Sequence, residues 1–179
     1  VGNEMVELLG FQTGSYWIMK DSTTLALDSL VCTNVGSDYH GDRFRYQRRY
    51  YIIYENFKDI QEYDGFWRID MYAEKTRDMC ELYFSKSTAI HGIRYYPFLS
   101  IPIQSKSTIG GTEVSVTFIS SLVINGRNFS DVYHVQYTNK GNSTEEHFYI
   151  SKEVGLIKIV QDNDQTKRTL LLERWNIKH

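Results

Sequence analysis

The sequence predicts an all-β fold, an antiparallel up-and-down meander of about ten strands that forms a barrel or a strongly curved half-barrel. Period-2 alternation of apolar and polar residues dominates the chain. Short polar turns join the alternating runs. Aromatic residues make up 15% of the sequence, including 14 Tyr and 9 Phe, and such residues favour strands because they fit a pleated, half-buried surface.

Length and composition restrict the class of protein further. A chain of 179 residues predicts a single all-β domain over residues 1–179. Its 20 basic and 22 acidic residues are balanced, which argues against a nucleic-acid partner because phosphate binding needs a basic surface. The sequence contains no run of 18 apolar residues, so it predicts no transmembrane helix. Cys32 and Cys80 lack the CxxC spacing of a metal or redox motif, so two buried thiols are favoured and a disulfide remains the alternative.

The first elements are a short helix and two strands. "NEMVELLG" predicts one or two helical turns, with Asn3 as the N-cap and Gly10 beyond the end. "SYWIMKDSTTLALDSLV", residues 15–31, reads as two strands around a polar break. Asp21 and Asp28 flank that break, where aspartate typically stabilises a turn.

Three further strands are expected in the middle of the chain. "RFRYQRRYYIIY" alternates, and its even positions place Phe44, Tyr46, Tyr50, Ile52 and Tyr54 on one face. "FWRIDMYAE" and "RDMCELYFS" follow as a pair. The next segment, "SKSTAIHGIRYYPFLSIP", is ambiguous, because Pro97 and Pro102 argue against a long element there.

The clearest signal is a hairpin over residues 112–137. Asn125-Gly126 between two alternating runs predicts a type I′ turn, which requires positive φ at both central residues. This turn fixes the register, so residues whose numbers sum to 251 stand opposite each other. The predicted pairs are Leu122 with Phe129, Phe118 with Tyr133, Val116 with Val135, Val114 with Tyr137, Thr117 with His134, and Ser115 with Gln136.

The remaining runs complete the meander. "EEHFYI", "GLIKIV" and "TLLLERWNI" are apolar strands separated by polar turns. A sheet of about ten strands usually curls, closes or splits, and closure removes exposed edges. We therefore expect a lipocalin-like or LolA-like barrel or half-barrel, with a two-layer β-sandwich as the alternative.

Two histidines form the predicted metal site. If the turn after residue 137 centres on Lys140-Gly141, His134 and His147 are direct cross-strand neighbours. If the turn shifts by one residue pair, they become diagonal neighbours on the same face. Two imidazoles at this distance could hold Zn²⁺ or Cu²⁺ with a third ligand, and Glu145 is the carboxylate nearest to them on that face. Two solvated histidines are the alternative interpretation.

Other chemistry has little support in the sequence. No GxSxG motif or phosphate-binding loop is present, so no catalytic residue and no cofactor is predicted. The chain is therefore expected not to be an enzyme. Tyr46, Tyr50, Phe118 and Tyr133 are the residues predicted to contact a hydrophobic ligand, although the same aromatics could fill the core instead.

Three segments carry a resemblance to a known family. "SYWIMKDSTTLALDSLVC", "VINGRNFSDVYHVQY" and "EEHFYISKEVGLIKIV" resemble, in the same order, segments of exported lipoproteins common in Bacteroidetes. The resemblance implies an exported protein, periplasmic or anchored to the outer membrane through a lipidated N-terminal Cys that this chain does not contain. The family has no assigned activity, so none is implied here.

Three functions follow as hypotheses. The first is a non-enzymatic cell-envelope lipoprotein that binds a hydrophobic small molecule or lipid inside its curved sheet. The second is a structural or interaction module of a surface complex, with an envelope protein as partner and a filled core. The third is a metal-dependent enzyme that uses His134 and His147.

Overall fold

The computed structural model describes residues 3–42, 45–55, 65–73, 78–86, 94–109, 112–139, 144–163 and 166–178. These contain one helix and twelve strands. The elements are α1 (Asn3–Leu9), β1 (Tyr16–Asp21), β2 (Leu27–Asp42), β3 (Arg45–Glu55), β4 (Gly65–Ala73), β5 (Asp78–Lys86), β6 (Arg94–Ile101), β7 (Lys106–Ile109), β8 (Thr112–Ile124), β9 (Arg127–Asn139), β10 (Thr144–Ser151), β11 (Gly155–Asn163) and β12 (Thr166–Asn176). Among the described residues, no helix has the length and apolar character needed to cross a membrane.

All twelve described strands belong to one sheet. Their order is β6-β5-β4-β3-β2-β1-β12-β11-β10-β9-β8-β7, and every neighbouring pair is antiparallel. The predicted all-β meander is confirmed, and the single sheet excludes the two-layer sandwich for the described strands. The first and last strands, β1 and β12, pair with each other in the middle of the sheet. The edges are β6 and β7, which follow one another in the sequence.

This connectivity requires the sheet to curl. Only residues 102–105 join the two edge strands, and five extended residue steps reach at most about 18 Å. Twelve flat strands would put those edges about 53 Å apart, at about 4.8 Å for each of eleven spacings. The sheet is accordingly curved without closing into a barrel, and β6 approaches β8. The strongly curved half-barrel is the form observed.

The register of the β8–β9 hairpin agrees with the prediction. Every pair from Thr112–Asn139 to Ile124–Arg127 sums to 251. Asn125 has a φ of 50° and Gly126 a φ of 76°, as a type I′ turn requires. The turn residues and the alternation therefore fix this hairpin together.

The edge strand β6 contains a proline that had argued against a long element. Pro97 lies inside Arg94–Ile101, opposite Glu81 next to a shift in register. Proline lacks the backbone N–H that a central strand must donate, and an edge strand can do without it on one side. The ambiguity of this segment is thus explained by its place at the edge of the sheet.

The cysteines lie on strands that are not neighbours. Cys32 is buried on β2 as a thiol, and Cys80 lies on β5, with β3 and β4 between them. Three strand spacings amount to about 14 Å, well beyond the ~7 Å limit for a disulfide. The thiol interpretation is confirmed for Cys32.

The tip of the β8–β9 hairpin bends towards β12. Asp131 has a φ of 50°, and beyond it the tip passes the shorter β10–β11 hairpin. Asn125 donates a hydrogen bond to the Leu172 carbonyl at 3.2 Å. Arg127 donates to the Glu173 carbonyl at 3.1 Å and lies 5.0 Å from the centre of the Trp175 ring. The tip of the β8–β9 hairpin is therefore held against β12.

Helix α1 completes the described core. The predicted helix is confirmed, and it begins at Asn3 and ends before Gly10. Its Met5, Leu8 and Leu9 are buried among side chains from the strands. Those strand residues are Trp17, Met19, Leu30, Cys32, Val114, Ile124, Phe129, Val132, Val135, Tyr137, Phe148, Ile150, Ile157, Ile159, Leu170 and Leu172.

A glycine allows the segment after α1 to pack closely. The ring of Phe11 lies edge-on to Trp17, with centroids 4.8 Å apart, and Trp17 Nε1 donates to the Val154 carbonyl at 2.6 Å. Gly155 has a φ of 79°, and a Cβ there would stand 2.9 Å from Cε2 of Phe11 and closer still to Cζ. The Phe11 ring has little freedom to move, because only 2% of it is exposed.

The turn between β1 and β2 depends on a buried carboxylate. Asp21 accepts hydrogen bonds from the Thr23 and Thr24 amides at 2.8 and 2.9 Å and from Arg168 Nε at 2.7 Å. Burial alone would raise the pKa of the Asp21 carboxyl, but the amides of Thr24 and Thr23 together with Arg168 hold it below its ordinary value. The turn function predicted for Asp21 is confirmed.

We predict that Gly155→Ala is more destabilising than Gly126→Ala. Both glycines have positive φ, so both variants carry the backbone cost of that conformation, roughly 1–2 kcal/mol. Only Gly155→Ala meets Phe11, whereas nothing lies within 4 Å of a Cβ at position 126. Overpacking should add about 1–3 kcal/mol. Urea denaturation checks this, and equal losses in the two variants would contradict it.

We predict that Asp21→Ala lowers the free energy of unfolding by about 1–3 kcal/mol, because Arg168 and two amides lose their acceptor. The folded-state pKa of Asp21 lies below its ordinary value of 3.8. The difference from wild type should therefore be full above pH 3.8 and shrink as the pH falls through the lower, folded value. Lys167→Gln is the matched control, since its exposed ion pair with Asp162 should contribute little. A pH-independent difference in urea denaturation would contradict the assignment.

Candidate functional site

His134 and His147 lie on neighbouring strands, as predicted, but in the shifted register. Pairs between β9 and β10 sum to 283, so His134 stands opposite Tyr149 and His147 opposite Gln136. The two histidines are therefore diagonal neighbours on one face, which is the alternative that the sequence left open. Thr117 and Ser115 of β8 stand opposite His134 and Gln136, as the hairpin register predicted.

The two imidazole rings meet through their nitrogens. His134 Nε2 lies 2.9 Å from His147 Nδ1, a normal N–H···N hydrogen-bond distance. The ring planes differ by only 12°, and the centroids are 5.1 Å apart. This separation nearly equals the N–N distance plus two ring radii, so the rings lie side by side in almost one plane. One nitrogen must donate and the other must accept.

Three further side chains surround the pair, and we call the five together the imidazole cluster: His134, His147, Glu145, Tyr149 and Lys158. The Tyr149 ring stacks on His134 at 4.4 Å between centroids. Lys158 Nζ lies 4.7 Å from the centre of the Tyr149 ring. Glu145 Oε1 lies 3.6 Å from His147 Nε2 and accepts a hydrogen bond from Gln136.

The surroundings favour the neutral form of both histidines. Partial burial lowers the pKa of His134, and the positive charges that His147 and Lys158 can carry lower it further. Partial burial also lowers the pKa of His147, which Glu145 opposes and Lys158 reinforces. Burial raises the pKa of Tyr149. The cluster is therefore built around neutral rings joined by one hydrogen bond.

The described side chains offer little to a metal ion. No group of three His, Cys, Asp or Glu side chains in the described ranges is arranged to hold one. The two facing nitrogens point at each other at 2.9 Å, whereas a zinc ion between them would need about 2.0–2.1 Å to each. Glu145 faces the other nitrogen of His147. The metal-site hypothesis stays a prediction, and a hydrogen bond accounts for the pair as placed.

The four predicted ligand-binding residues fall into two separate pairs. Tyr46 and Tyr50 lie on β3, with Tyr46 opposite Gly41 and Tyr50 opposite Ser37 and Met71. Phe118 and Tyr133 stand opposite each other on β8 and β9, with ring centroids 5.6 Å apart. Phe118 is 54% exposed. Contact of these four residues with a ligand stays a prediction.

The sequence had named Glu145 beside the histidines but had missed Tyr149, Lys158 and Gln136. Gln136 stands opposite His147, and Lys158 stands opposite Tyr149 on the third strand. Period-2 alternation from Glu145 would have placed Tyr149 on the same face. Lys158 required the register of β11, which depends on a bulge between Tyr149 and Ile150.

Comparison with known proteins gives one solved structure of interest. No protein-family model matches the chain, and no curated protein matches it either. A crystal structure from Parabacteroides distasonis, described as a candidate lipoprotein, aligns over 92% of this chain and 96% of its own, with 12% identity and a TM-score of 0.39. Neither the fold described above nor the proposals below rest on this likeness.

We predict that Zn²⁺ does not stabilise the protein. Because the facing nitrogens share a proton at 2.9 Å, a metal would have to break this hydrogen bond and find a third ligand. Equimolar Zn²⁺ should leave the melting temperature and the His134 and His147 NMR signals unchanged. The metal-site hypothesis predicts the opposite on both measurements, and a rise in melting temperature that His147→Gln abolishes would establish it.

Proposed function

We propose that this protein is a non-enzymatic binding module of the bacterial cell envelope, which holds a hydrophobic ligand inside its curved sheet. The observation that carries the proposal is the number of strands in the one curved sheet. A barrel of about eight strands is filled by its own side chains or holds one small ligand, and wider ones leave more room. Twelve curled strands would leave more room for a ligand than eight do.

Helix α1 occupies one part of that interior. The described core lies against β1, the start of β2 and β8–β12, where the side chains of Met5, Trp17, Tyr137 and Phe148 are buried. We place the ligand under β2–β6 because Tyr46 and Tyr50, two of the residues predicted to contact it, lie on β3.

Location in the envelope is supported by the resemblance of three segments to exported Bacteroidetes lipoproteins. The aromatic strand that contains Trp17 is β1, and "VINGRNFSDVYHVQY" spans the β8–β9 turn and most of β9. We propose an exported protein, periplasmic or anchored to the outer membrane. No cofactor and no catalytic residue forms part of the proposal.

A structural or interaction module is the second candidate, because β8 exposes two large apolar side chains. Phe118 and Val123 of β8 are 54% and 65% exposed. Strand β7 pairs with β8 only from Thr112 to Ser115. Beyond Ser115, the described residues of β7 form no ladder with this edge of β8. An envelope protein that adds a strand there would use a known mode of recognition.

We predict that native mass spectrometry detects an apolar molecule bound after incubation with a bacterial lipid extract. Tyr46→Ala and Tyr50→Ala should each weaken this binding, because they remove apolar surface from residues proposed to contact the ligand. Phe118→Ala is the matched control and should bind as wild type does. A bare mass in wild type, with folding confirmed by circular dichroism, would contradict the ligand proposal and favour the interaction module.

A further inference from the structure

We propose that His134 and His147 form a pH-sensitive latch between β9 and β10, which is closed by a single shared proton at neutral pH and opens in mild acid. The inference is independent of the proposed ligand. It starts from the 2.9 Å contact between His134 Nε2 and His147 Nδ1. Two facing nitrogens at this distance can hold one proton between them, because a second proton would set N–H against N–H.

The neighbouring carboxylate decides which nitrogen donates. Glu145 Oε1 faces His147 Nε2, so this nitrogen carries a proton in the neutral ring. His147 Nδ1 is then the bare acceptor, and His134 Nε2 is the donor. The latch opens when His147 Nδ1 takes a proton from solvent, whereas protonation of His134 Nδ1 keeps the donor in place.

The charged groups around the pair resist a second positive charge. Lys158 on β11 approaches Tyr149, which lies between it and His134. On β10, Glu145 can compensate one imidazolium, but it also accepts a hydrogen bond from Gln136 of β9. Asp162 of β11 is engaged by Lys167 of β12 at 2.7 Å. The facing residues of β8 are Thr117 and Ser115, which carry no charge.

The direction of the pH effect follows from the two shifts. Both histidines have a folded-state pKa below the ordinary value of 6.5. As the pH falls, the unfolded chain therefore binds protons before the folded one does. The stability that the pair contributes is complete above pH 6.5 and is lost as the pH falls through the lower, folded values.

The test is a titration of the wild-type protein from pH 8 to pH 4.5, followed by long-range ¹H–¹⁵N NMR of the imidazole nitrogens with EDTA present. We expect both rings as Nε2–H tautomers at pH 8, with His147 Nδ1 bare, and both to titrate below pH 6.5. His147→Gln should move the titration of His134 up towards 6.5. Lys158→Gln should raise both pKa values while the tautomers stay unchanged.

Melting temperature gives an independent measurement. Between pH 7.5 and pH 5, wild type should lose roughly 2–4 °C more than His147→Gln. A protonated His147 Nδ1 at pH 8, or two rings that titrate independently at 6.5, would overturn the proposal. If His147→Gln fails to fold, the wild-type tautomers and titration decide the question alone. Ligand binding is measured separately at pH 7.5, where the latch is closed, so the two proposals fail independently.

Discussion

The shape of the molecule depends on one covalent constraint, the four residues 102–105 that join the two edges of a twelve-stranded sheet. A flat sheet of this width is impossible with so short a connection, so the strands must curl until β6 and β7 meet at one end. Hydrogen bonds between β1 and β12 join the first and last strands in the middle of the sheet. The two edges of the sheet are β6 and β7, which are consecutive in the chain. The fold is a meander whose two unpaired edges among the described strands, β6 and β7, come from the middle of the sequence.

A curled sheet of twelve strands needs material to fill it, and the chain supplies part of this through its first residues. The segment after α1 is tied to the end of the chain, since Gln12 donates to the Lys178 carbonyl at 3.0 Å and Lys178 donates to Ser15 at 2.9 Å. These bonds continue the β1–β12 pairing outward and position the helix over the core. Phe11 then reaches Gly155, whose missing Cβ leaves space for the ring. The contacts that extend the pairing of the terminal strands therefore also hold α1 and Phe11 in the core.

Sequence reasoning succeeded where local chemistry determines structure. Asn125-Gly126 specified both turn and register of the β8–β9 hairpin, because positive φ at two positions permits few alternatives. The β9–β10 register was left open because no comparable turn signal fixes it. The β1–β12 pairing and the edge position of Pro97 are non-local facts that alternation does not encode. For the same reason the sequence placed His134 and His147 on one face but missed Lys158, whose position depends on a register shift between β10 and β11.

The imidazole cluster and the core are linked by the pleat of the same two strands. His134 is followed by the buried Val135, and His147 by the buried Phe148, and these two apolar residues stand opposite each other. A strand cannot rotate one face without moving the other. Protonation of the pair therefore acts against a packed Val135–Phe148 contact and a continuous backbone ladder. Because neither the apolar contact nor the ladder contains a group that titrates, we expect the latch to open by rotation of the His147 side chain, while the β9–β10 register is retained.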